Sequence, residues 1–246
     1  MVLFFRRLCF FLFIVFASCG TSTKPSYIIA VDPAFYSIES MGREKNILAF
    51  LTDLVSAVSI RTHMSIHIQP TNWNSLVQGL EEHQYQGIFS GINQYNFTEN
   101  KYSFSSVLIK TGPVVVVAKN TNFQALAELN NKEVGILSDS DAVHILSAYP
   151  DIIIRLYDSI PKLLNDIAQK NIEAAMIPAL PAAGYCNDLF QDTLRIATAP
   201  MTDSGLKLIT LKQENKELIE GFNRAIHAME KDGTIDKLKA KWSLPY

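Results

Sequence analysis

The order of apolar and amphipathic segments constrains the fold of this chain more than any other feature. From residue 27 to 91, and again from 133 to 177, short apolar runs alternate with segments whose apolar residues recur at helical spacing. Such runs are typical of buried strands, and the segments between them are typical of amphipathic helices. Each stretch therefore predicts a β-α-β-α-β unit, and the two together predict an α/β protein.

The same pattern places the individual elements. Strands are predicted over residues 27–31, 64–68, 87–91, 107–110, 114–119, 133–137, 152–157, 174–177, 194–199 and 206–211. Helices are predicted over residues 46–59, 74–82, 142–148, 160–169, 215–231 and 235–241. Crossovers between parallel strands are right-handed and leave ligand sites at the carboxyl ends of the strands.

Two extended connections are predicted between the units. One contains Gly112 and Pro113, and the other contains residues 203–205. Two lobes joined in this way form a clamshell with a cleft between them, a common place for a small-molecule site, and they close by a hinge motion. We expect lobe 1 to comprise residues 27–111 and 205–246, and lobe 2 to comprise residues 112–204.

The N-terminal segment differs from the rest of the chain. Arg6 and Arg7 precede an unbroken apolar run over residues 8–17, which Ser18 and Cys19 follow. This order is typical of a signal peptide, here residues 1–18. The run is about half the length that a permanent helix needs to cross a ~30 Å hydrocarbon core, so a transmembrane helix is the weaker interpretation.

The end of the apolar run resembles the bacterial lipobox. In residues 16–19, small side chains precede a cysteine, and Phe16 stands where that motif usually has Leu. The resemblance implies that Cys19 is acylated and becomes the mature N-terminus. Residues 19–26 then form a lipid-anchored, flexible tether. The expected location is the periplasmic side of a bacterial membrane.

Charge and cysteine usage exclude several classes of function. The formal net charge is only −2, so the basic field that nucleic acids require is lacking and no nucleic-acid partner is expected. With Cys9 in the removed segment and Cys19 acylated, Cys186 is left without a disulfide partner and is interpreted as a half-buried structural thiol. The five histidines show no metal-ligand spacing, and neither a metal nor a cofactor is expected.

Several segments of the mature chain resemble one family. They are the Gly233-Thr234 turn between two helices, the Lys241-Trp242 pair, Ser90-Gly91 at a strand end, and residues 101–105. In these features the chain is similar to the periplasmic amino-acid-binding proteins of ABC importers, solute-binding protein family 3. The resemblance implies a type II periplasmic-binding-protein clamshell. It also implies a monomer that is not an enzyme and that delivers a small polar, amino-acid-like solute to an ABC permease.

Two charged anchors of that family are missing from this chain. Thr98 falls where the family has an Arg that grips the ligand's α-carboxylate, and Pro178 falls where an Asp receives the ligand's ammonium. A Thr hydroxyl cannot replace the paired, charge-assisted bonds of a guanidinium. A ligand that is uncharged, cationic or modified is therefore favoured, or else another anchor such as Arg43, Lys119 or Arg155.

The resemblance and the strand ends together indicate the residues that line the cleft. The candidate ligand-binding residues are Phe35, Tyr36, Trp73, Ser90, Gly91, Asn93, Thr98 and Ser140. For the aromatic residues the alternative is packing in the core of a lobe, and for the small polar residues it is turn chemistry.

Two other functions remain open from the sequence. Some relatives of the family are periplasmic dehydratases, although no nucleophile elbow, metal motif or pair of carboxylates is recognisable here. The second of these functions is that of a ligand-sensing receptor module that signals to another protein. Turnover of a prephenate-like substrate would separate the enzyme from the binding protein.

Overall fold

The computed structural model describes residues 25–36 and 38–245. The predicted signal peptide and Cys19 lie outside the described residues. In this part of the chain, no helix combines the length and the apolar character that a membrane span requires.

Eleven strands and eight α-helices make up the described part of the chain. The strands are β1 Ser26–Val31, β2 Ser65–Pro70, β3 Gly87–Ser90, β4 Tyr102–Phe104, β5 Ile109–Lys110, β6 Pro113–Ala118, β7 Glu133–Leu137, β8 Ile153–Tyr157, β9 Ala174–Pro178, β10 Leu194–Ile196 and β11 Gly205–Leu211. The helices are α1 Glu44–Thr62, α2 Trp73–Glu81, α3 Asn96–Glu99, α4 Ala142–Leu146, α5 Ile160–Ala168, α6 Ala179–Asp188, α7 Lys216–Lys231 and α8 Thr234–Lys241.

The strands form two separate sheets, as a two-lobed α/β clamshell requires. The first has the order β2-β1-β3-β11-β4, with β5 paired to β11, and the second has the order β10-β6-β9-β7-β8. In the first sheet β1 runs parallel to β2 and β3, whereas β11 is antiparallel to its neighbours. We call the first sheet with α1, α2, α3, α7 and α8 lobe 1, and the second sheet with α4, α5 and α6 lobe 2.

The core of lobe 1 forms where α1 and α7 cover the first sheet. The apolar face of α1, including Phe50 and Leu54, is fully buried, and α7 contributes Phe222 to the same cluster. The rings of Phe89 on β3 and Phe222 lie 6.0 Å apart between centroids and are tilted by 52°. Burial of side chains of this size stabilises a fold by roughly 2 kcal/mol each, so α7 is held on lobe 1.

The two connections between the sheets run side by side. One joins β5 to β6, the other joins β10 to β11, and the Thr111 amide donates a hydrogen bond to the Ser204 carbonyl over 2.9 Å. A Cβ atom on Gly112 would lie 2.3 Å from Thr202 Oγ1, so the two connecting segments are in close contact there. The predicted lobe boundaries fall in these connections and stay a prediction.

The main difference from the sequence pattern is α6, which was not predicted. Most of its residues are buried, so its sequence lacks the polar face that marks an amphipathic helix. Pro181 also argues against a helix in a sequence, yet it occupies the first turn, where its missing N–H has no intrahelical partner to lose. Cys186 is buried in this helix, and burial raises the pKa of its thiol to about 11.

Candidate functional site

A cleft of about 790 Å³ lies between the two lobes. Lobe 1 and the connections line it with Ile38, Glu39, Gly91, Asn93, Gln94, Tyr95, Glu99, Thr111, Gly112, Pro113, Thr202, Asp203, Ser204 and Lys207. Lobe 2 lines it with Leu137, Asp139, Ser140, Asp141, Ala142, His144, Ile145 and Pro178. The volume falls in the range of pockets that hold small molecules.

The wall of lobe 1 is built at the carboxyl end of β3. Ser90 ends the strand, and its Oγ accepts a hydrogen bond from the Ile92 amide over 3.3 Å, which turns the chain toward the cleft. Asn93 then lines the cleft, and its Nδ2 donates to Tyr95 Oη over 3.2 Å. Short polar side chains after a strand end can contact a ligand in this position.

Lys207 completes the same wall from the adjacent strand. It lies on β11 in register with Ser90 on β3, and only 3% of the residue is exposed. Its Nζ lies 5.8 Å from the centroid of the Phe104 ring. Burial lowers the pKa of Lys207, and the negative charge of Asp203 opposes this shift.

The wall of lobe 2 is built at the carboxyl end of β7. The Ser140 amide donates to the Leu137 carbonyl over 3.1 Å, and Ser140 Oγ accepts from the Ala142 amide over 3.1 Å. These bonds fix the turn that brings Asp139 and Asp141 into the cleft. Pro178, at the end of β9, supplies an apolar surface beside them.

Carboxylates outnumber cationic side chains in the cleft wall. Five acidic residues line the cleft, namely Glu39, Glu99, Asp139, Asp141 and Asp203. Asp203 forms an ion pair with Lys110 over 3.3 Å. Desolvation in the cleft and then the negative charge of Asp139 raise the pKa of Glu39. A group that enters between Glu39 and Asp139 is thus favoured if it is cationic.

Three of the predicted site residues line the cleft together. Gly91 and Asn93 come from lobe 1, and Ser140 comes from lobe 2. Ser90 lies directly beside them and is buried. The clustering brings together residues that are about fifty positions apart in the chain, and it supports these four as ligand-contact candidates.

The other four predicted residues lie away from the cleft lining. Phe35 is 2% exposed in the core of lobe 1, and Trp73 packs on the cluster that holds Leu76 and Leu80. Tyr36 is 77% exposed. For the buried Phe35 and the partly buried Trp73, this placement favours the packing alternative.

Thr98 is engaged in local structure. Its Oγ1 accepts a hydrogen bond from the Tyr95 amide over 2.8 Å and lies 3.0 Å from the Asn93 carbonyl, to which it can donate. The bonds hold the first turn of α3. The placement supports turn chemistry for this residue rather than ligand contact.

The alternative anchors named from the sequence also lie elsewhere. Arg43 donates to the Ser243 carbonyl over 2.6 Å, Lys119 donates to the Gln191 carbonyl over 2.7 Å, and Arg155 pairs with Glu133 over 3.0 Å. None of the three lines the cleft. Within residues 25–36 and 38–245, no group of three or more His, Cys, Asp or Glu side chains is arranged to hold a metal ion.

Sequence reasoning missed Lys207 and Glu39. The signal for Lys207 is visible in the sequence, because it is the one charged residue in the apolar strand segment 205–211. A lysine in a buried strand is rare unless it is paired or functional. Glu39 gives no comparable signal, because it lies in a loop whose path depends on the tertiary structure.

Comparisons with known proteins agree with this geometry. Residues 27–245 match the family model of bacterial extracellular solute-binding proteins, family 3. An arginine-binding extracellular protein of Bacillus subtilis is 28% identical over 92% of this chain and 91% of its own length. An L-cystine-binding protein of Escherichia coli is 21% identical over 89% of this chain and 83% of its own length.

A solved structure supports the architecture. The L-cystine solute receptor of Neisseria gonorrhoeae, in its unliganded open conformation, superimposes with a TM-score of 0.71. The alignment covers 89% of this chain and 93% of the receptor, at 18% sequence identity. At that identity the similarity establishes the fold alone, which is the two-lobed type II periplasmic-binding-protein fold expected from the sequence.

Proposed function

The chain belongs to family 3 of the bacterial extracellular solute-binding proteins, and on that premise we propose that it captures a small polar, amino-acid-like solute and delivers it to an ABC importer. The observation that carries the proposal is the cleft between the lobes. Polar groups from both sheets and from both connections meet there. A hinge motion of the connections would enclose a solute among them.

The composition of the cleft wall indicates the kind of solute. Backbone turns, the Asn93 amide and the Ser140 hydroxyl offer neutral hydrogen-bonding groups, and the acidic residues offer partners for a cationic group. The volume of about 790 Å³ would suit an amino acid, a short peptide or a polyamine. Arginine and cystine, the solutes that two of the relatives bind, fall in the same size class.

We further propose that Cys19 carries a lipid anchor and that the protein acts as a monomer on the periplasmic side of a bacterial membrane. The sequence of residues 6–19 supports the anchor. A tethered monomer would remain within reach of a membrane permease without spanning the bilayer.

A thermal-shift screen of the purified mature protein tests the binding function. The screen uses amino acids, short oligopeptides, polyamines and cofactors, because a compound that binds the native state raises the melting temperature by mass action. One class of compound is expected to raise it. A compound that binds in the cleft should no longer raise the melting temperature of Asn93→Trp, because the indole occupies the cleft at the wall of lobe 1. The same compound should still raise the melting temperature of Asn100→Trp, because Asn100 lies outside the cleft lining.

The screen also has an outcome that contradicts the proposal. If a compound stabilises the wild type and both variants equally, the solute binds outside the cleft. Binding without turnover is part of the proposal, so a prephenate-like substrate should be recovered unchanged. Turnover of that substrate would favour the dehydratase alternative.

A further inference from the structure

Within the proposed solute-binding role, on which this inference rests, we propose that the ammonium group of Lys207 anchors an anionic group of the solute. In an amino-acid-like solute that group is the carboxylate. The sequence lacks the family's arginine at Thr98, and Lys207 supplies the positive charge from a different strand.

The first observation is the environment of Lys207. The residue as a whole is 3% exposed, and within the described residues no hydrogen bond or ion pair of its ammonium is found. No fully buried side-chain nitrogen of the described residues lacks a partner, so the ammonium itself reaches the cleft. Its described contacts are the face of the Phe104 ring and the longer-range charge of Asp203, which forms its own ion pair with Lys110. Burial of the side chain lowers the pKa of Lys207, so its charged form is partly desolvated, and a partly desolvated charge without a close ionic partner destabilises the protein that carries it. The cost is explained if a ligand supplies the partner.

The second observation is where the ammonium lies. Lys207 lines the cleft, beside Ser90 in the sheet and on the same wall as Gly91 and Asn93. This wall is formed at the carboxyl end of β3, where neutral donors are also available. An anion placed there would meet the cation of Lys207 and the polar groups of Asn93 together.

The third observation is the opposite charge elsewhere in the cleft. Glu39, Asp139 and Asp141 line it as well, and Glu39 lies close enough to Asp139 for the charge to raise its pKa. One region of the cleft thus favours an anion and another favours a cation. A dipolar solute satisfies both, so Lys207 restores the possibility of an amino acid that the missing arginine had argued against.

Paired probes test the anchor directly. L-arginine, L-histidine and L-cystine are compared by calorimetry with agmatine, histamine and cystamine, which are the same compounds without carboxylates. The wild type is expected to bind at least one amino acid more tightly than its amine by about 10- to 100-fold, as for a charge-assisted bond. Lys207→Met should abolish that difference, and Lys207→Arg should retain part of it.

The stability of the ligand-free protein gives a second readout. Since Met has a similar length and no charge, Lys207→Met should raise the melting temperature of the free protein while it weakens binding of the amino acid. Leu208→Met, at a fully buried neighbour on the same strand, is the matched control and should alter neither binding nor the preference for the carboxylate. A purely structural lysine would instead lose stability on substitution.

The outcomes separate the two proposals. Amino-acid binding that is unchanged in Lys207→Met, or an amine that binds as tightly as its amino acid, overturns the role of Lys207 and leaves the binding function intact. A lower melting temperature for free Lys207→Met also overturns it. Failure of all six compounds to bind counts against both the anchor and the amino-acid-like solute.

Discussion

Glu39 of lobe 1 and Asp139 of lobe 2 are electrostatically coupled across the cleft. Desolvation comes first among the causes that raise the pKa of Glu39, and the negative charge of Asp139 adds to it. Two carboxylates that approach one another resist ionising together. Closure of the cleft would strengthen this repulsion unless a cationic group lay between them.

The coupling predicts that Asp139→Asn lowers the pKa of Glu39. The measurement is an NMR titration of the Glu39 carboxyl carbon in the ligand-free protein. Asp141→Asn is the matched control, because Asp141 also lines the cleft but does not contribute to the shift. An equal effect of the two substitutions would show that the coupling is not specific to Asp139.

The raised pKa also fixes the sign of a pH effect on stability. The native carboxyl of Glu39 holds its proton to a higher pH than the unfolded one. Its contribution to stability is therefore fully present below the unfolded value near 4.5 and is lost as the pH rises through the native value. Glu39→Gln should remove this loss, so it should stabilise the protein at neutral pH relative to the wild type, as measured by urea unfolding.

Asp53 on α1 holds the end of the C-terminal helix α8 by two hydrogen bonds. Its Oδ2 accepts hydrogen bonds from Lys241 Nζ over 2.6 Å and from Trp242 Nε1 over 2.8 Å, and the bond from Lys241 is the main cause of its lowered pKa. Asp53→Ala should lower the free energy of unfolding at neutral pH by roughly 1–2 kcal/mol, a typical value for two partly exposed bonds. Urea unfolding measures the loss.

The lowered pKa gives this prediction a pH dependence. The stabilisation by Asp53 is present above the unfolded pKa near 3.8 and is lost as the pH falls through the lower native value. The difference between wild type and Asp53→Ala should therefore shrink in acid. Asp188→Ala is the control, since Asp188 is exposed and no side-chain hydrogen bond or ion pair of Asp188 is found among the described residues. A loss that is as large in acid as at neutral pH would rule out the carboxylate as its source.

The sequence predicts those parts of the fold in which local pattern and burial agree. The strand at 133–137 is found within the predicted bounds, because its apolar run is enclosed on both faces. The helix α6 was missed for the opposite reason, since a helix buried on most sides has no amphipathic signal. Periodicity reports which side of an element meets solvent, so it fails where no side does.

The site was less predictable than the fold, and Phe35 and Lys207 show why. Phe35 follows β1, as a ligand-stacking aromatic would, but its backbone adopts a φ of +50° and its ring enters the core. Lys207 reaches the cleft because β11 pairs with β3, a contact between residues more than a hundred positions apart. The pairing of strands so far apart in the sequence cannot be predicted from the residues of either strand alone.

The membrane anchor is predicted to depend on Cys19. Cys19→Ser should leave the unprocessed precursor and abolish labelling with a fatty-acid analogue, because the thiol is the acylated group. Ser18→Ala is a conservative control that keeps the thiol and a small preceding residue. Labelling of Cys19→Ser at the wild-type level would contradict lipidation at this position.

Substitution of glycine by alanine is expected to change the stability of the protein in opposite directions at Gly112 and Gly184. At Gly112 an added Cβ would lie 2.3 Å from Thr202 Oγ1 and 3.0 Å from the Thr202 carbonyl, so Gly112→Ala must push apart the two connections between the lobes. The expected loss in the free energy of unfolding is roughly 1–3 kcal/mol. In α6, the Cβ of Gly184→Ala would have its nearest neighbour, Arg43 Nη2, at 3.8 Å. Gly184→Ala should therefore stabilise the protein by about 0.5–1 kcal/mol, as is usual within a helix.

A double-mutant cycle identifies the atom responsible at the connections. Thr202→Ala removes Oγ1 and leaves the carbonyl, so it should recover part of the stability lost in Gly112→Ala, although not all of it. Urea unfolding of the wild type, both single variants and the double variant measures the interaction. Additive effects would mean that the connections do not meet at these two residues. A positive interaction would place the contact between Gly112 and Thr202 in the segment about which the lobes are proposed to close.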